Sequence, residues 1–125
     1  MSNMVKRIMS RVGKTVKFKY PVNGKTITVK GVLKDRVVVE APSWSGIPYP
    51  YYDVVDLIEF EIEGRKFEAL RFGYYRVKNG KLNWASQTTL TEPLEVWKKI
   101  LITACKKPWF RRLLEEVLRT CSAIG

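Results

Sequence analysis

Side chains that commonly carry out catalysis are scarce in this chain of 125 residues, which contains no histidine and only two cysteines. The lack of histidine excludes Ser-His-Asp and Cys-His catalytic triads and every metal site built on imidazole ligands. The sequence also lacks the G-x-x-x-x-G-K-[ST] and G-x-G-x-x-G motifs that cradle phosphate groups. Carboxylates are therefore the only side chains from which a catalytic cluster could be assembled.

Five carboxylates lie close together in the middle of the chain: Asp53, Asp56, Glu59, Glu61 and Glu63. Two or three acids that converged on Mg²⁺ could support phosphodiester cleavage. However, the three glutamates alternate with apolar residues, which is typical of the solvent-exposed side of a strand. We therefore rank a metal-dependent nuclease below the other hypotheses, and we expect no catalytic residues, no metal site and no cofactor.

Positive charge is the strongest compositional signal, with a formal net charge of +11. Residues 1–36 contain ten Lys and Arg against one acid, residues 37–70 contain two against seven, and residues 71–125 contain eleven against four. A surplus of this size attracts polyanions, although it says nothing about fold. The charge favours nucleic acid as the partner; the alternatives are a ribosome-associated protein, a toxin, or a surface that matches an acidic protein or an anionic membrane.

Residues 67–87, FEALRFGYYRVKNGKLNWASQ, combine this charge with aromatic side chains. Asn79-Gly80 supplies the positive φ angles of a type I′ turn, so the stretch is predicted to be a β-hairpin in which Tyr75 faces Trp84. Side chains alternate between the two sides of a strand. One side is predicted to be core, with Phe67, Ala69, Tyr75, Val77, Leu82 and Trp84; the other carries Leu70, Phe72, Tyr74, Arg76, Lys78 and Lys81.

A second hairpin is predicted around Asn23-Gly24, between strands at residues 14–20 and 25–33. Its register pairs Tyr20 with Ile27 and Phe18 with Val29 on the core side, and places lysines on the opposite side of the hairpin. Gly31 allows a bulge or a sharp bend, the device by which small sheets curl. The hairpin resembles the opening of an SH3-like barrel, which is an analogy of fold only.

The two hairpins together provide the predicted nucleic-acid-binding residues: Lys17, Lys19, Lys25, Lys30, Arg71, Phe72, Tyr74, Arg76, Lys78 and Lys81. The basic groups would bind phosphate, and exposed Phe72 and Tyr74 would stack on bases and so select single strands. The alternative is that Phe72 and Tyr74 lie beneath the C-terminal helices, because an amphipathic helix pair must cover an apolar surface.

The other elements are predicted from the spacing of apolar residues and from residues that end regular structure. We expect a helix at residues 2–11 capped by Ser2, a turn at residues 34–35, a short strand at 37–40 and a proline-rich loop at 41–50. A strand at 54–63 is predicted to turn at Glu63-Gly64 and form a third hairpin, with Phe60 opposite Phe67. Thr91 is predicted to cap a helix that Pro108 interrupts, followed by a second helical segment to Cys121. A helical hairpin is preferred over one kinked helix.

These elements predict a single α+β domain over residues 1–125, β-rich at 14–88 and helical at 91–122. Its core is a curved antiparallel sheet or partly open small barrel of five to seven strands. We expect a non-enzymatic, cytoplasmic protein with reduced cysteines that binds single-stranded nucleic acid or RNA without sequence preference and does not enter membranes. The alternative is an interaction or assembly protein, such as an accessory subunit or mobile-element product, that forms a homodimer through the C-terminal helices.

Overall fold

The structure, a computed structural model, describes residues 2–44, 46, 48–85 and 89–124. These residues form three helices and five strands: α1 (Asn3–Met9), β1 (Thr15–Val22), β2 (Lys25–Ala41), β3 (Tyr51–Ile62), β4 (Arg65–Lys78), β5 (Lys81–Trp84), α2 (Leu94–Ala104) and α3 (Pro108–Ile124). The predicted end of the β-rich part, at residues 86–88, and two positions of the predicted loop, 45 and 47, lie outside the described residues. The α+β fold class is confirmed.

The five strands form one open antiparallel sheet in sequence order, β1-β2-β3-β4-β5. Three tight turns set the register, because Asn23, Glu63 and Asn79 each adopt a positive φ and are followed by glycine. The predicted cross-strand pairs all form: Tyr20 with Ile27, Phe18 with Val29, Phe60 with Phe67, and Tyr75 with Trp84. The registers of the three hairpins are thus confirmed.

The predicted turn at residues 34–35 is wrong, because β2 runs unbroken from Lys25 to Ala41. The irregularity there is a β-bulge, a shift of register against β3 between Leu33 and Asp35. A bulge inserts one extra residue and reverses the inside-outside alternation beyond it. Arg36 therefore points to the side of the sheet on which Leu33 lies, which simple alternation along β2 would not allow.

Asp35, at the bulge, anchors the start of α3. Its carboxylate accepts a hydrogen bond of 2.9 Å from Trp109 Nε1 and lies 3.2 Å from Lys107 Nζ. Burial alone would raise the pKa of Asp35, but the hydrogen bonds from Trp109, the Arg36 backbone and Lys107 outweigh it and hold that pKa below its usual value. The bulge and the helix are therefore coupled by a carboxylate that stays ionised.

One helix boundary differs from the predictions. Thr91 does not cap α2, since the cap position is Pro93 and no side chain bonds there. Two separate C-terminal helices form, as preferred over one kinked helix: α2 ends at Ala104, and Pro108 begins α3, where a first helical turn has free backbone positions. α1 does begin as predicted, because the Ser2 hydroxyl accepts a hydrogen bond from the backbone of Val5 at 3.2 Å.

Helices pack on both sides of the sheet. On one side, Ile100 of α2 and Phe110 of α3 meet Val37, Val39 and Val55 in the larger core. On the other side, Ile8 of α1 is buried against Tyr52 and Val54, with Val77, Leu82 and Trp84 around them. The α1 helix covers only the part of its side that is near these residues.

The sheet curls towards the α1 side. The guanidinium of Arg71 on β4 lies 5.5 Å from the ring of Phe18 on β1. Three strand spacings separate β1 from β4, roughly 14 Å in a flat sheet, so the two side chains reach across a concavity. We call this side the concave face. It is the predicted core side of the hairpins. Among the described residues, no helix covers its half near the Asn23-Gly24 and Glu63-Gly64 turns, where Tyr20, Ile27 and Phe67 are exposed.

Candidate functional site

Three charged side chains form a row across the concave face, one on each of three neighbouring strands. Asp56 of β3 pairs directly with Arg36 of β2 and Arg71 of β4. Arg36 binds both carboxylate oxygens, with Nε–Oδ1 2.6 Å and Nη2–Oδ2 3.0 Å, and Arg71 adds bonds of 3.1 and 2.9 Å to Oδ2. One carboxylate thus serves two guanidinium groups, and the row retains one positive charge.

Arg36 is buried and held in place by hydrogen bonds. Arg36 is only 1% exposed, and its Nη1 donates to the Ile8 carbonyl at 2.9 Å and to the Tyr75 hydroxyl at 3.0 Å. Burial would lower its pKa, but the hydrogen bonds and charge of Asp56 raise the pKa above the ordinary arginine value, so the group stays charged. Arg36 therefore ties α1 to the sheet as well as holding Asp56.

Arg71 retains an unused hydrogen-bond donor. The side chain of Arg71 is about one-fifth exposed, and its Nη1 has no acceptor among the described residues. Its guanidinium lies 4.5 Å from the ring of Trp84, which lies edge-on to Tyr75 at 4.9 Å. Trp84 fits here because Gly73 leaves space: a Cβ at Gly73 would come 2.2 Å from the indole. The aromatic rings hold Arg71 in a fixed position without neutralising it.

These residues line a cavity of about 690 Å³ between α1, the start of β1 and the far edge of the sheet. We call it the arginine pocket. The basic residues that line it are Arg7, Arg11, Lys17, Arg36 and Arg71, and of these Lys17 occupies a strand position that faces away from the concave face. Asp56 is the one carboxylate paired with any of the four arginines among the described residues, which leaves a surplus of three positive charges. A cavity of this size and charge can hold a small anion.

An apolar surface continues from the pocket towards the Asn23-Gly24 and Glu63-Gly64 turns. Phe18 contacts Arg71 on one side and Phe60 on the other, and Phe60 stacks on Phe67 with ring centroids 5.4 Å apart. We call the exposed side chains of this surface the hairpin platform: Tyr20, Val22, Ile27, Ile62 and Phe67. Tyr20 is 51% and Phe67 40% exposed, so both rings are open to a stacking partner.

The ten predicted binding residues do not form one site. Four lysines lie on the β1–β2 hairpin, at one edge of the sheet, and Arg76, Lys78 and Lys81 lie on the β4–β5 hairpin, at the other edge. Lys17, Lys19 and Lys30 alternate with Phe18 and Val29, so they lie on the convex side. Of the ten, only Arg71 and Lys17 line the arginine pocket.

The predicted stacking residues lie on the convex side. Phe72 is 40% exposed and meets Trp97 of α2 edge-on at 5.6 Å. Tyr74 is 5% exposed and lies against Tyr51, with the Arg76 guanidinium 5.8 Å from its ring. The structure thus places Phe72 against the second helix, as the alternative prediction had it, and leaves no open ring face on Tyr74.

Sequence reasoning identified Arg71 but missed Arg36 and Asp56, although part of the signal for Asp56 was present. The register set by Glu63-Gly64 places Asp56 opposite Arg71, on the same side as Phe60 and Phe67. Two complementary charges on a predicted core side indicate a buried ion pair. Arg36 gave no such signal, because only the bulge turns it towards Asp56.

The central acids are not gathered for metal binding. Asp53 and Asp56 lie on opposite sides of the sheet, and the described residues contain no cluster of three or more metal-ligating side chains. Asp53 is instead buried beside Glu92. Burial and the negative charge of Glu92 raise the pKa of Asp53 to about 9, so it holds a proton at neutral pH. Trp44 Nε1 donates to Oε1 of Glu92 at 2.9 Å.

Comparison with known proteins gives no assignment, since no protein family, curated protein or solved structure matches the chain. Among the described residues, no helix is both long and apolar enough to cross a membrane. Arguments about function therefore depend on the concave face itself.

Proposed function

We propose that the protein binds single-stranded nucleic acid, DNA or RNA, along its concave face and does so without catalysis. The observation that carries the proposal is the position of Arg71, whose guanidinium lies between the rings of Trp84 and Phe18. Phosphate groups would bind in the arginine pocket, and bases would stack on Tyr20 and Phe67 of the hairpin platform. Two free cysteines further support a reducing, cytoplasmic location.

Single strands fit this surface better than a duplex for two reasons. A stacking platform can use only bases whose faces are open, and in a duplex those faces are covered by neighbouring bases. In addition, the platform side chains lie within the curl of the sheet, where an extended chain has access. Sequence-neutral binding is expected, because stacking and phosphate contacts do not distinguish bases.

The test is fluorescence anisotropy with labelled single-stranded DNA, single-stranded RNA and duplex DNA, each titrated at several salt concentrations. We expect the single strands to bind at least tenfold more tightly than the duplex, with affinity that falls steeply as salt rises. Absence of binding to any of the three at low salt would refute the proposal.

Phe67 and Phe72 provide a matched pair of variants, because both lie on β4, both are 40% exposed and they point to opposite sides of the sheet. Loss of a stacked base costs about 1–3 kcal/mol, so Phe67→Ala should weaken single-strand binding roughly 5- to 100-fold. Phe72→Ala should leave it unchanged. The reverse result would move the site to the convex side.

A second candidate function is self-association through α3, supported by the exposed apolar stripe of its distal half. Phe110 and Leu114 pack against the larger core, and the same stripe continues through Leu113, Val117, Leu118 and Ile124, all exposed. Charges of both signs flank the stripe: Arg111, Arg112, Glu115, Glu116 and Arg119. This mixture is self-complementary, so we propose that the partner is α3 of a second copy.

Light scattering tests this association. We expect a dimer at about 100 μM, and Val117→Asp should convert it to a monomer because a charge would enter the apolar contact. Leu94→Asp, at an exposed leucine in the first turn of α2, is the control and should remain dimeric. A wild-type monomer at this concentration would contradict the candidate.

A further inference from the structure

We infer that the arginine pocket holds a terminal phosphomonoester, so that the protein recognises the phosphorylated end of a single strand. This inference rests on the proposed function and specifies what its central site binds. It follows from two features of the concave face: the face is closed at one end, and the closed end has more positive charge than an internal phosphodiester needs.

The α1 helix closes the concave face beyond the pocket. Ile8, 1% exposed, fills the space over Tyr52 and Val54. The Ile8 carbonyl is also bound to Arg36, which forms the inner wall of the pocket. A strand lying along this face cannot continue past α1 without displacing a buried side chain, whereas the opposite direction, over Phe18 to the hairpin platform, is open. A strand that reaches the arginines therefore ends there.

The charge of the pocket matches a terminal phosphate. A phosphomonoester carries between 1.5 and 2 negative charges at neutral pH, with three acceptor oxygens, whereas a phosphodiester carries one charge. Asp56 already neutralises part of the Arg36–Arg71 pair, but Arg71 Nη1 has no described acceptor. Arg11 forms no ion pair with described residues. Arg71 Nη1 and Arg11 therefore provide unused donors around one anion.

The size of the pocket is also that of a strand end. A cavity of about 690 Å³ lies within the range of roughly 300–1,000 Å³ that holds a small organic ligand. It can take one terminal nucleotide but not a folded segment. The terminal phosphate would lie at Arg71, and the following bases would lead out over Phe18 to Tyr20 and Phe67.

The experiment compares strands that differ only at their ends. One 12-nucleotide sequence, labelled on an internal base, is prepared with a 5′-phosphate, with a 3′-phosphate, with hydroxyls at both ends, and as a closed circle. At moderate salt we expect one of the two phosphorylated strands to bind at least tenfold more tightly than the hydroxyl strand and the circle. Whichever end is preferred gives the polarity of the bound strand.

Two variants connect the preference to the pocket. Arg71→Gln should abolish the preference for the phosphorylated end, and Arg11→Gln should reduce it several-fold. The Arg11 side chain is exposed and makes no hydrogen bond, ion pair or ring contact with the described residues, so its variant guards against a loss caused by misfolding. Lys78→Gln, on the β4–β5 hairpin outside the pocket, should leave the preference unchanged.

The outcomes distinguish failure of this inference from failure of the proposed single-strand binding. Equal affinity for the circle, the hydroxyl strand and both phosphorylated strands would overturn the inference and leave single-strand binding intact. Failure of all four to bind at low salt would overturn both. A phosphate preference that survives Arg71→Gln and Arg11→Gln would overturn the assignment of the end to this pocket.

Discussion

Asp56→Asn is expected to destabilise the protein by about 3–5 kcal/mol, because it removes the only carboxylate that faces Arg36 and Arg71 among the described residues. Asp56 is fully buried and Arg36 is nearly so. A buried guanidinium that loses its counter-charge keeps its desolvation cost without compensation. Since small domains are stable by only about 5–15 kcal/mol, the loss should lower the thermal midpoint by roughly 10–20 °C.

The measurement is chemical denaturation of wild type and variant, with Glu61→Gln as the control. Glu61 lies on the same strand, is exposed and pairs across the sheet with Lys66, so the same chemical change should cost less than about 1 kcal/mol. A loss for Asp56→Asn no larger than that of the control would show that the row does not stabilise the fold.

The same variant also tests the character of the pocket. With Asp56 neutral, Arg36 and Arg71 both lack a counter-charge, so an added anion can take its place. Phosphate at millimolar concentration should therefore raise the thermal midpoint of Asp56→Asn more than that of wild type, by the linkage between ligand binding and stability. An equal rise in the two proteins would show that phosphate does not take the place of the Asp56 carboxylate between the arginines.

Asp53→Asn is expected to have the opposite effect and to stabilise the protein above neutral pH. The pKa of Asp53 is raised to about 9 from the usual 3.8 by burial and by Glu92. Between about pH 4 and pH 9 the folded state therefore holds a proton that the unfolded state has lost. The free energy of unfolding then falls as pH rises, by at most about 1.4 kcal/mol per pH unit from this group.

Asparagine removes this dependence and supplies a fixed amide donor. Neither Asp53 oxygen, nor Glu92 Oε2, receives a hydrogen bond from a described donor, and the Asn amide can donate to Glu92 without a proton from solvent. Urea denaturation at pH 5, 7 and 8.5 should find Asp53→Asn close to wild type at pH 5. At pH 8.5 it should be more stable by about 2 kcal/mol or more.

Glu95→Gln is the control for charge, because Glu95 is exposed in the first turn of α2 and near Glu92 in sequence. It should shift stability by a few tenths of a kcal/mol with no trend across this pH range. If wild type and Asp53→Asn followed the same pH profile, Asp53 would not carry a proton in the folded state.

The hairpins and their registers follow from short stretches of sequence. Each tight turn depends on only four consecutive residues. The positive φ angles at Asn23-Gly24, Glu63-Gly64 and Asn79-Gly80 fix a two-residue turn, and the turn then fixes every pair along the two strands. The same local reasoning identified Ser2 as the cap of α1. It misplaced the cap of α2, where Pro93 takes the position predicted for Thr91. The α+β class followed from these elements and their order.

The side of the sheet that carries the candidate site depends instead on long-range packing. Both sides of β4 contain aromatic and basic residues, so alternation could separate the two sets but not say which one a helix covers. α2 packs on Phe72 through Trp97 and leaves Phe67 open. The bulge after Leu33 turns Arg36 to the concave face, and the curl of the sheet brings Arg71 to Phe18 across two intervening strands. Those contacts are long-range, and their energies depend on burial and distance, which no short stretch of sequence specifies.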